Sequence, residues 1–228
     1  MSFLRERLEI DVRVVPTWIP HQARDNREKR LKLNNQMNIE YEATFINIDK
    51  DEIRNKLKNA GAKLVRPEFL QKRVAFYLSG HEESNDRFAR VRDEGDKITM
   101  TIKLFDGDKI DNQKEINLVI NDFESGVKFL EAIGCSSKSY QETKRELWKL
   151  ENVEIMIDTW PFLEPIVEVE GNSEEEVMTV SKKLGFDYDK AKFCSVDVIY
   201  REKYNLPTNV INTAPKLIFE MKNPFINN

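Results

Sequence analysis

The chain has few of the residues that build disulfide scaffolds and histidine metal sites. Its 228 residues include two cysteines, Cys135 and Cys194, and two histidines, His21 and His81. Two distant thiols are too few for a disulfide framework, and neither residue type has the spacing of a zinc site. A metal in this protein would therefore be held by oxygen ligands, which suit hard divalent cations such as Mg²⁺ or Mn²⁺.

Long apolar runs and a net positive charge are also missing. No apolar stretch approaches the roughly 20 residues of a membrane-spanning helix, and the first residues lack the hydrophobic segment of a signal peptide. The formal net charge of −4 provides no global field that would attract nucleic acid or an anionic membrane. We therefore expect a soluble, cytoplasmic protein without a membrane partner. The sequence gives no indication of the oligomeric state.

The chain is rich in segments that alternate charged and apolar side chains. In residues 38–45, Glu40 and Glu42 lie two positions apart, so an extended strand places both carboxylates on one face. Ile39 and Tyr41 leave the opposite face. Similar positions in later segments are Arg90, Arg92, Lys103, Glu115, Arg145, Asp158, Glu168 and Glu170. The pattern predicts a sheet with one charged and one apolar face.

The order of predicted elements repeats once along the chain. Each half reads as strand, helix, strand, strand, strand, with the two helices predicted over 49–60 and 122–134 from their aspartate caps and the glycines near their ends. A further helix is predicted over 173–184. Eight strands in two similar halves indicate an α+β fold, a closed eight-stranded antiparallel barrel built from two βαβββ halves.

The helices decide which face of the sheet lies inside this barrel. If they pack outside, they cover the apolar face, and the charged face lines the lumen. Two like charges about 4 Å apart repel by about 4 kcal/mol at an effective dielectric near 20, so a lumen crowded with carboxylates requires cations beside them. Divalent metal ions and a polyphosphate chain, bound by arginine and lysine, would satisfy such a lumen.

This set of residues resembles the signature of the CYTH superfamily, the triphosphate tunnel metalloenzymes. The resemblance covers residues 38–204, which we interpret as the tunnel domain. It leaves a basic N-terminal extension over 1–37 and an irregular C-terminal tail over 205–228. The residues that carry the resemblance are Glu40-x-Glu42, Arg90-x-Arg92, Lys103, Arg145, Asp158 and Glu168-x-Glu170. The fold implied is an eight-stranded tunnel that binds triphosphates together with Mg²⁺ or Mn²⁺.

The resemblance also implies roles for individual residues. The implied metal ligands are Glu40, Glu42, Glu115, Asp158, Glu168 and Glu170. The implied phosphate-binding residues are Arg90, Arg92, Lys103 and Arg145. Glu40 and Glu42 are also expected to be catalytic, together with Lys72. Arg145, rather than its neighbour Lys144, is assigned to the lumen because Thr143 and Leu147 share its face.

Two positions depart from the family pattern. The opening motif of the family is Glu-x-Glu-x-Lys, but Thr44 stands at the lysine position and supplies no charge. Lys72, on a neighbouring predicted strand, is our hypothesis for the missing base. Asn117 stands where a second carboxylate of its strand would be usual.

The implied activity is the metal-dependent processing of a triphosphate. The first hypothesis is a phosphohydrolase that releases the terminal phosphate of a nucleoside, thiamine or inorganic triphosphate. The alternatives are a class IV-type adenylyl cyclase, which makes cyclic AMP from ATP, and a non-catalytic module that binds a nucleotide or polyphosphate. The expected partner is a small-molecule triphosphate, and nucleic acid is expected only as a 5′-triphosphate RNA end. We expect Trp160 and Phe162 to pack with adjacent prolines, with stacking on a base as the alternative.

Overall fold

A computed structural model describes residues 37–81, 86–105, 107 and 109–226. Apart from Met37, the predicted N-terminal extension lies outside the described residues. The strands are β1 (Asn38–Ile39), β2 (Tyr41–Phe45), β3 (Lys63–Tyr77), β4 (Arg87–Asp93), β5 (Ile98–Phe105), β6 (Gln113–Ile120), β7 (Ser136–Leu150), β8 (Val153–Thr159), β9 (Ile166–Gly171) and β10 (Lys216–Leu217). The α-helices are α1 (Lys50–Asn59), α2 (Phe123–Ala132), α3 (Glu174–Lys183), α4 (Val196–Tyr204) and α5 (Thr208–Ile211).

Nine of these strands form one antiparallel sheet in the order β1-β6-β5-β4-β3-β7-β8-β9-β2. Its first and last members, β1 and β2, are separated in the chain by Glu40 alone. The sheet therefore curls into a nearly closed barrel, and the Glu40 backbone N–H continues the β1–β6 pairing by donating to the Gln113 carbonyl at 3.0 Å. The predicted α+β antiparallel barrel is confirmed. It has nine strands instead of eight because the first predicted strand is interrupted at Glu40.

The apolar face of the sheet lies outside the lumen, beneath the helices. Ile53 and Leu57 of α1 and Val177 of α3 belong to one buried cluster with Ile155 and Ile157 of β8. A second cluster packs Val127 and Leu130 of α2 against β4. The helices thus bury much of the hydrocarbon face, although Ile116 and Leu118 of β6 stay exposed. The charged alternate residues are left to face inward.

The three predicted helices begin at the predicted caps. The Asp49 carboxylate accepts from the backbone N–H of Glu52 at 2.8 Å, and Asp122 accepts from Ser125 at 2.7 Å. Ser173 accepts from the Glu176 N–H in the same way. Such caps satisfy backbone donors that a helix leaves unpaired. No helix within the described part of the chain is long and apolar enough to cross a membrane.

The described part of the predicted C-terminal tail packs against the barrel. In this segment, β10 pairs in parallel with β7, and the Ser139 hydroxyl donates to the Ala214 carbonyl at 2.8 Å. Leu217 is buried in a cluster with Trp160 and Tyr200. The domain boundaries at 37/38 and 204/205 stay predictions.

Candidate functional site

The barrel encloses a cavity of about 350 Å³ lined mainly by charged side chains from its strands. Nine of the predicted site residues line it, namely Glu40, Glu42, Arg90, Arg92, Lys103, Glu115, Arg145, Glu168 and Glu170. They come from six strands and from the break between β1 and β2. Inward alternation on a barrel is what brings residues so distant in sequence into one cavity.

Three carboxylates form an acidic trio on one wall of this cavity. The trio is Glu40, Glu42 and Glu170, and a set of carboxylate oxygens, one from each residue, lies within 4.8 Å of one another. Glu42 and Glu170 are directly opposite in the β2–β9 register, and Glu40 lies two positions earlier on the same face as Glu42. Convergent oxygen ligands without sulfur or imidazole fit a hard divalent cation.

The surroundings of the trio shift the pKa values of its carboxylates. Burial, followed by the charges of Glu168 and Glu40, raises the pKa of Glu42 well above its usual value. Burial and Glu40 raise the pKa of Glu170 to about 7. Glu42 and Glu170 thus resist ionisation while neighbouring carboxylates are charged, and a bound cation would relieve this repulsion.

Glu40 differs from its two neighbours because it has a cationic partner. The Lys103 ammonium lies 2.6 Å from a Glu40 carboxylate oxygen and 3.9 Å from Glu115. Burial alone would raise the pKa of Glu40, but Lys103, with smaller effects of Arg90 and Arg92, lowers it. Glu40 is therefore the most readily ionised carboxylate of the trio.

Arg145 is held in place by two carboxylates. Its guanidinium donates to both oxygens of Asp158, at 2.8 and 2.5 Å, and to Glu168 at 2.6 Å. Asp158 is 1% exposed and does not line the cavity. The structure therefore does not bring Asp158, a predicted metal ligand, into the acidic trio. It lies behind Arg145 and fixes the direction of that side chain.

Arginines form the opposite wall, on β3 and β4. Arg73 and Arg92 are directly opposite in the register, and Arg90 lies two residues from Arg92 on the same face. Arg92 pairs with Glu94 at 2.6 Å. Burial, followed by Arg92, lowers the pKa of Arg90 to about 10. A wall of guanidinium donors thus faces the carboxylates, as a site for a metal-bound polyanion requires.

The CYTH domain family model matches residues 38–201, more than half of the chain. The chain belongs to the CYTH family. This match covers the nine-stranded sheet and the first two thirds of α4. It confirms the resemblance read from the charged strand faces.

Solved structures show the same fold as this CYTH chain. The PH1819 protein of Pyrococcus horikoshii OT3 aligns with a TM-score of 0.60 and 19% identity, over 72% of this chain and 99% of that chain. The PH1012 protein of the same organism aligns with a TM-score of 0.58 and 20% identity, over 67% of this chain and 94% of that chain. A proposed adenylate cyclase from Vibrio parahaemolyticus aligns with a TM-score of 0.62 and 12% identity, over 72% of this chain and 98% of that chain. No curated protein matches the chain.

The CYTH motif position occupied by Thr44 is buried and backbone-paired. Thr44 is 2% exposed, and its backbone exchanges two hydrogen bonds with Lys192, at 3.0 and 2.9 Å. It does not line the cavity. Neither does Lys72, which is exposed on the outer face of β3. Lys72 therefore lies outside the lumen, and the prediction that it supplies the missing base there is wrong.

The residue that sequence reasoning missed is the next one, Arg73, which lines the cavity. A signal for it was present. Val74 and Phe76 pack in the outer cluster beneath α2, so the odd-numbered residues of β3 face inward. Two adjacent bases, Lys72 and Arg73, concealed this alternation.

Several other lining residues come from loops and strand ends. Glu94 follows β4 in a turn, and Asp197 lies in the first turn of α4. Gln113 and Lys138 line the cavity near the starts of β6 and β7. Trp160 lines it too and packs in the C-terminal cluster. The period of a strand cannot predict residues that a loop or a helix delivers to the lumen.

Proposed function

We propose that the protein is a metal-dependent phosphohydrolase that releases the terminal phosphate of a nucleoside, thiamine or inorganic triphosphate. The observation that carries the proposal is the acidic trio facing the arginine wall within one cavity. Membership of the CYTH family supports a triphosphate-processing role for such a cavity. The substrate would lie between the two walls with its phosphate oxygens toward the arginines.

Glu40, Glu42 and Glu170 would hold Mg²⁺ or Mn²⁺. When bound, the cation neutralises charge on phosphate oxygens and lowers the pKa of a bound water. Lys103 holds Glu40 in its ionised form, which suits a metal ligand. A carboxylate oxygen of the trio would take the proton of the attacking water as the water oxygen bonds to the terminal phosphorus and the bond from that phosphorus to the rest of the substrate breaks.

The basic residues would bind and orient the phosphate chain. Arg90 and Arg92 present guanidinium donors from β4, and Arg145 presents its own from β7. Because Asp158 and Glu168 fix Arg145, little side-chain entropy remains to be lost when a phosphate binds. Such preorganised charges stabilise the charge on the transferring phosphoryl group.

A class IV-type adenylyl cyclase is the second candidate. Phe88 and Phe105 line the cavity with ring centroids 6.0 Å apart, and offer apolar faces to a nucleobase. Gln113, opposite Phe105, has a buried side-chain amide nitrogen without a partner among the described residues. In this reaction the 3′-hydroxyl of ATP attacks the α-phosphorus and pyrophosphate leaves.

Product analysis separates the candidates. The protein is incubated with ATP, GTP, thiamine triphosphate or tripolyphosphate, with Mg²⁺, Mn²⁺ or chelator, and phosphate, pyrophosphate and cyclic nucleotide are measured together. We expect phosphate that depends on metal, is lost in Glu42→Gln and is retained in the exposed control Glu131→Gln. Pyrophosphate with equimolar cyclic nucleotide would favour the cyclase. Binding of a triphosphate without any product would indicate a non-catalytic binding module.

A further inference from the structure

Arg73 is a buried cation whose protein contacts are neutral. It is 5% exposed, and its guanidinium carbon lies 4.6 Å from the centre of the Trp160 ring. One terminal nitrogen donates to the Gln71 side-chain carbonyl at 2.9 Å and to the Thr143 hydroxyl at 2.5 Å. These contacts fix the plane of the guanidinium, but none of them neutralises its charge.

Among the residues that the structure describes, the Arg73 guanidinium is only partly satisfied. Its Nε is buried and has no hydrogen-bond acceptor within the described ranges. Burial, followed by the charges of Arg90, Arg92 and Arg145, pushes the pKa of Arg73 well below its usual range. A buried charge that lies among like charges is costly in free energy. The arrangement becomes favourable when an anion enters the cavity.

Arg73 interacts electrostatically with the strand pair that carries Thr44, the position at which the family motif has a lysine. Asp158 and Glu168 both interact electrostatically with it. Glu168 is directly opposite Thr44 in the β2–β9 register. Arg73 on β3 therefore acts on the carboxylate that lies directly beside position 44.

We propose that Arg73 binds an anionic oxygen of the phosphate chain and supplies the positive charge that Thr44 does not. The inference rests on the proposed function, since it assigns a further binding residue to the same cavity. Arg73, Arg90 and Arg92 then form a continuous guanidinium row across β3 and β4. The ligand is of the polyphosphate class, because Arg73 and Arg90 each keep a buried Nε without an acceptor among the described residues, and an anion with several phosphates can neutralise both.

The test is the affinity for tripolyphosphate, measured by isothermal titration calorimetry with Mg²⁺ present. Arg73→Gln should weaken binding by at least about tenfold, because a buried charged contact is lost. The matched control is Lys72→Gln, the adjacent exposed base, which should stay within about twofold of wild type. The affinity of Arg73→Lys should lie between those of the two glutamine variants, because lysine keeps the positive charge but lacks the forked guanidinium donors.

Two further measurements distinguish binding from a structural role. The ligand-free Arg73→Gln protein should melt at the same or a higher temperature than wild type, since repulsion with neighbouring arginines is removed. Adding Thr44→Lys to Arg73→Gln should restore part of the affinity. A melting temperature well below wild type would make Arg73 structural, and a double variant without recovery would overturn the compensation.

The outcomes separate this inference from the proposed function. Wild-type binding that Arg73→Gln leaves unchanged would overturn the role of Arg73 alone. Absence of tripolyphosphate binding by the wild-type protein would overturn both.

Discussion

At the scale of single residues, the protein places carboxylates with opposite tendencies side by side. Glu40 ionises easily because Lys103 lies 2.6 Å away, whereas burial and neighbouring acids raise the pKa of Glu42 and Glu170. Without a cation, the trio stores electrostatic repulsion. If a divalent cation binds, the three neighbouring carboxylates can coordinate it and the repulsion between them is relieved.

This repulsion predicts how the stability of the metal-free protein depends on pH. Burial, followed by Glu40, raises the pKa of Glu170 from 4.5 to about 7 in the folded protein. The folded state therefore holds a proton that the unfolded chain has already lost, and this contribution to stability disappears as the pH rises from 4.5 through about 7. Burial also raises the pKa of Glu42 and Glu168, which act in the same direction, while Glu40 opposes them.

Urea unfolding in chelator, repeated across this pH window, measures the effect. Glu170→Gln should flatten the decline in the free energy of unfolding, and the exposed Glu131→Gln should leave it unchanged. An equally steep decline in Glu170→Gln would show that Glu170 titrates normally.

Substitution of a second trio member tests the same repulsion without changing the pH. Glu42→Gln should abolish metal-dependent binding or turnover, yet leave the metal-free melting temperature equal to or above that of wild type. The comparison is made by differential scanning fluorimetry in chelator. A large loss of metal-free stability would identify Glu42 as a structural residue.

At the scale of elements, Arg145 ties three strands together. It extends from β7, while Asp158 belongs to β8 and Glu168 to β9. These neighbouring strands share one buried ionic network, and removing one partner leaves charge uncompensated. The network both braces the barrel and holds a predicted phosphate ligand.

Asp158→Asn should therefore lower both stability and triphosphate affinity. We expect the free energy of unfolding to fall by about 2 kcal/mol or more, since hydrogen bonds to a buried charged group are lost. Glu151→Gln, which breaks an exposed 3.1 Å ion pair with Lys183, should cost less than about 0.5 kcal/mol. Chemical denaturation with and without tripolyphosphate measures both quantities. Equal effects of the two variants would contradict the bracing role.

The elements also show how far the sequence alone could predict the site. Alternation placed Glu40, Glu42, Arg90 and Arg92 in one lumen because one strand period fixes the face of every residue. Lys72, our hypothesis for the base missing at Thr44, lies on the outer face of β3, whereas its neighbour Arg73 lines the cavity. Turns and helices also place residues in the cavity, such as Glu94 and Asp197. The two-residue alternation of strands cannot predict these positions.

At the scale of the whole molecule, the C-terminal segment is part of the packed structure. The two-residue strand β10 adds to β7, and Leu217, 4% exposed, packs among Trp160, Tyr200 and Ile211. The ring of Phe225, near the described end of the chain, lies 5.2 Å from the ring of Tyr200, whose hydroxyl donates to the Pro161 carbonyl at 2.6 Å. The described end of the chain therefore stabilises the loop that carries Trp160.

Leu217→Ala should destabilise the protein by about 2 kcal/mol or more, through lost apolar contacts and the cavity left behind. Lys216→Ala, the exposed neighbour on the same strand, should cost less than about 0.5 kcal/mol. Differential scanning fluorimetry compares the two. A neutral Leu217→Ala would mean that the segment is dispensable for the fold.

The central claim is that one lumen holds a divalent cation and a triphosphate together. Electron paramagnetic resonance of Mn²⁺, titrated with and without tripolyphosphate, tests it directly. The account predicts that the protein binds Mn²⁺ and that its affinity for Mn²⁺ increases when tripolyphosphate is added. It also predicts that Glu42→Gln abolishes this binding. Mn²⁺ binding that is unaffected by both tripolyphosphate and Glu42→Gln would contradict it.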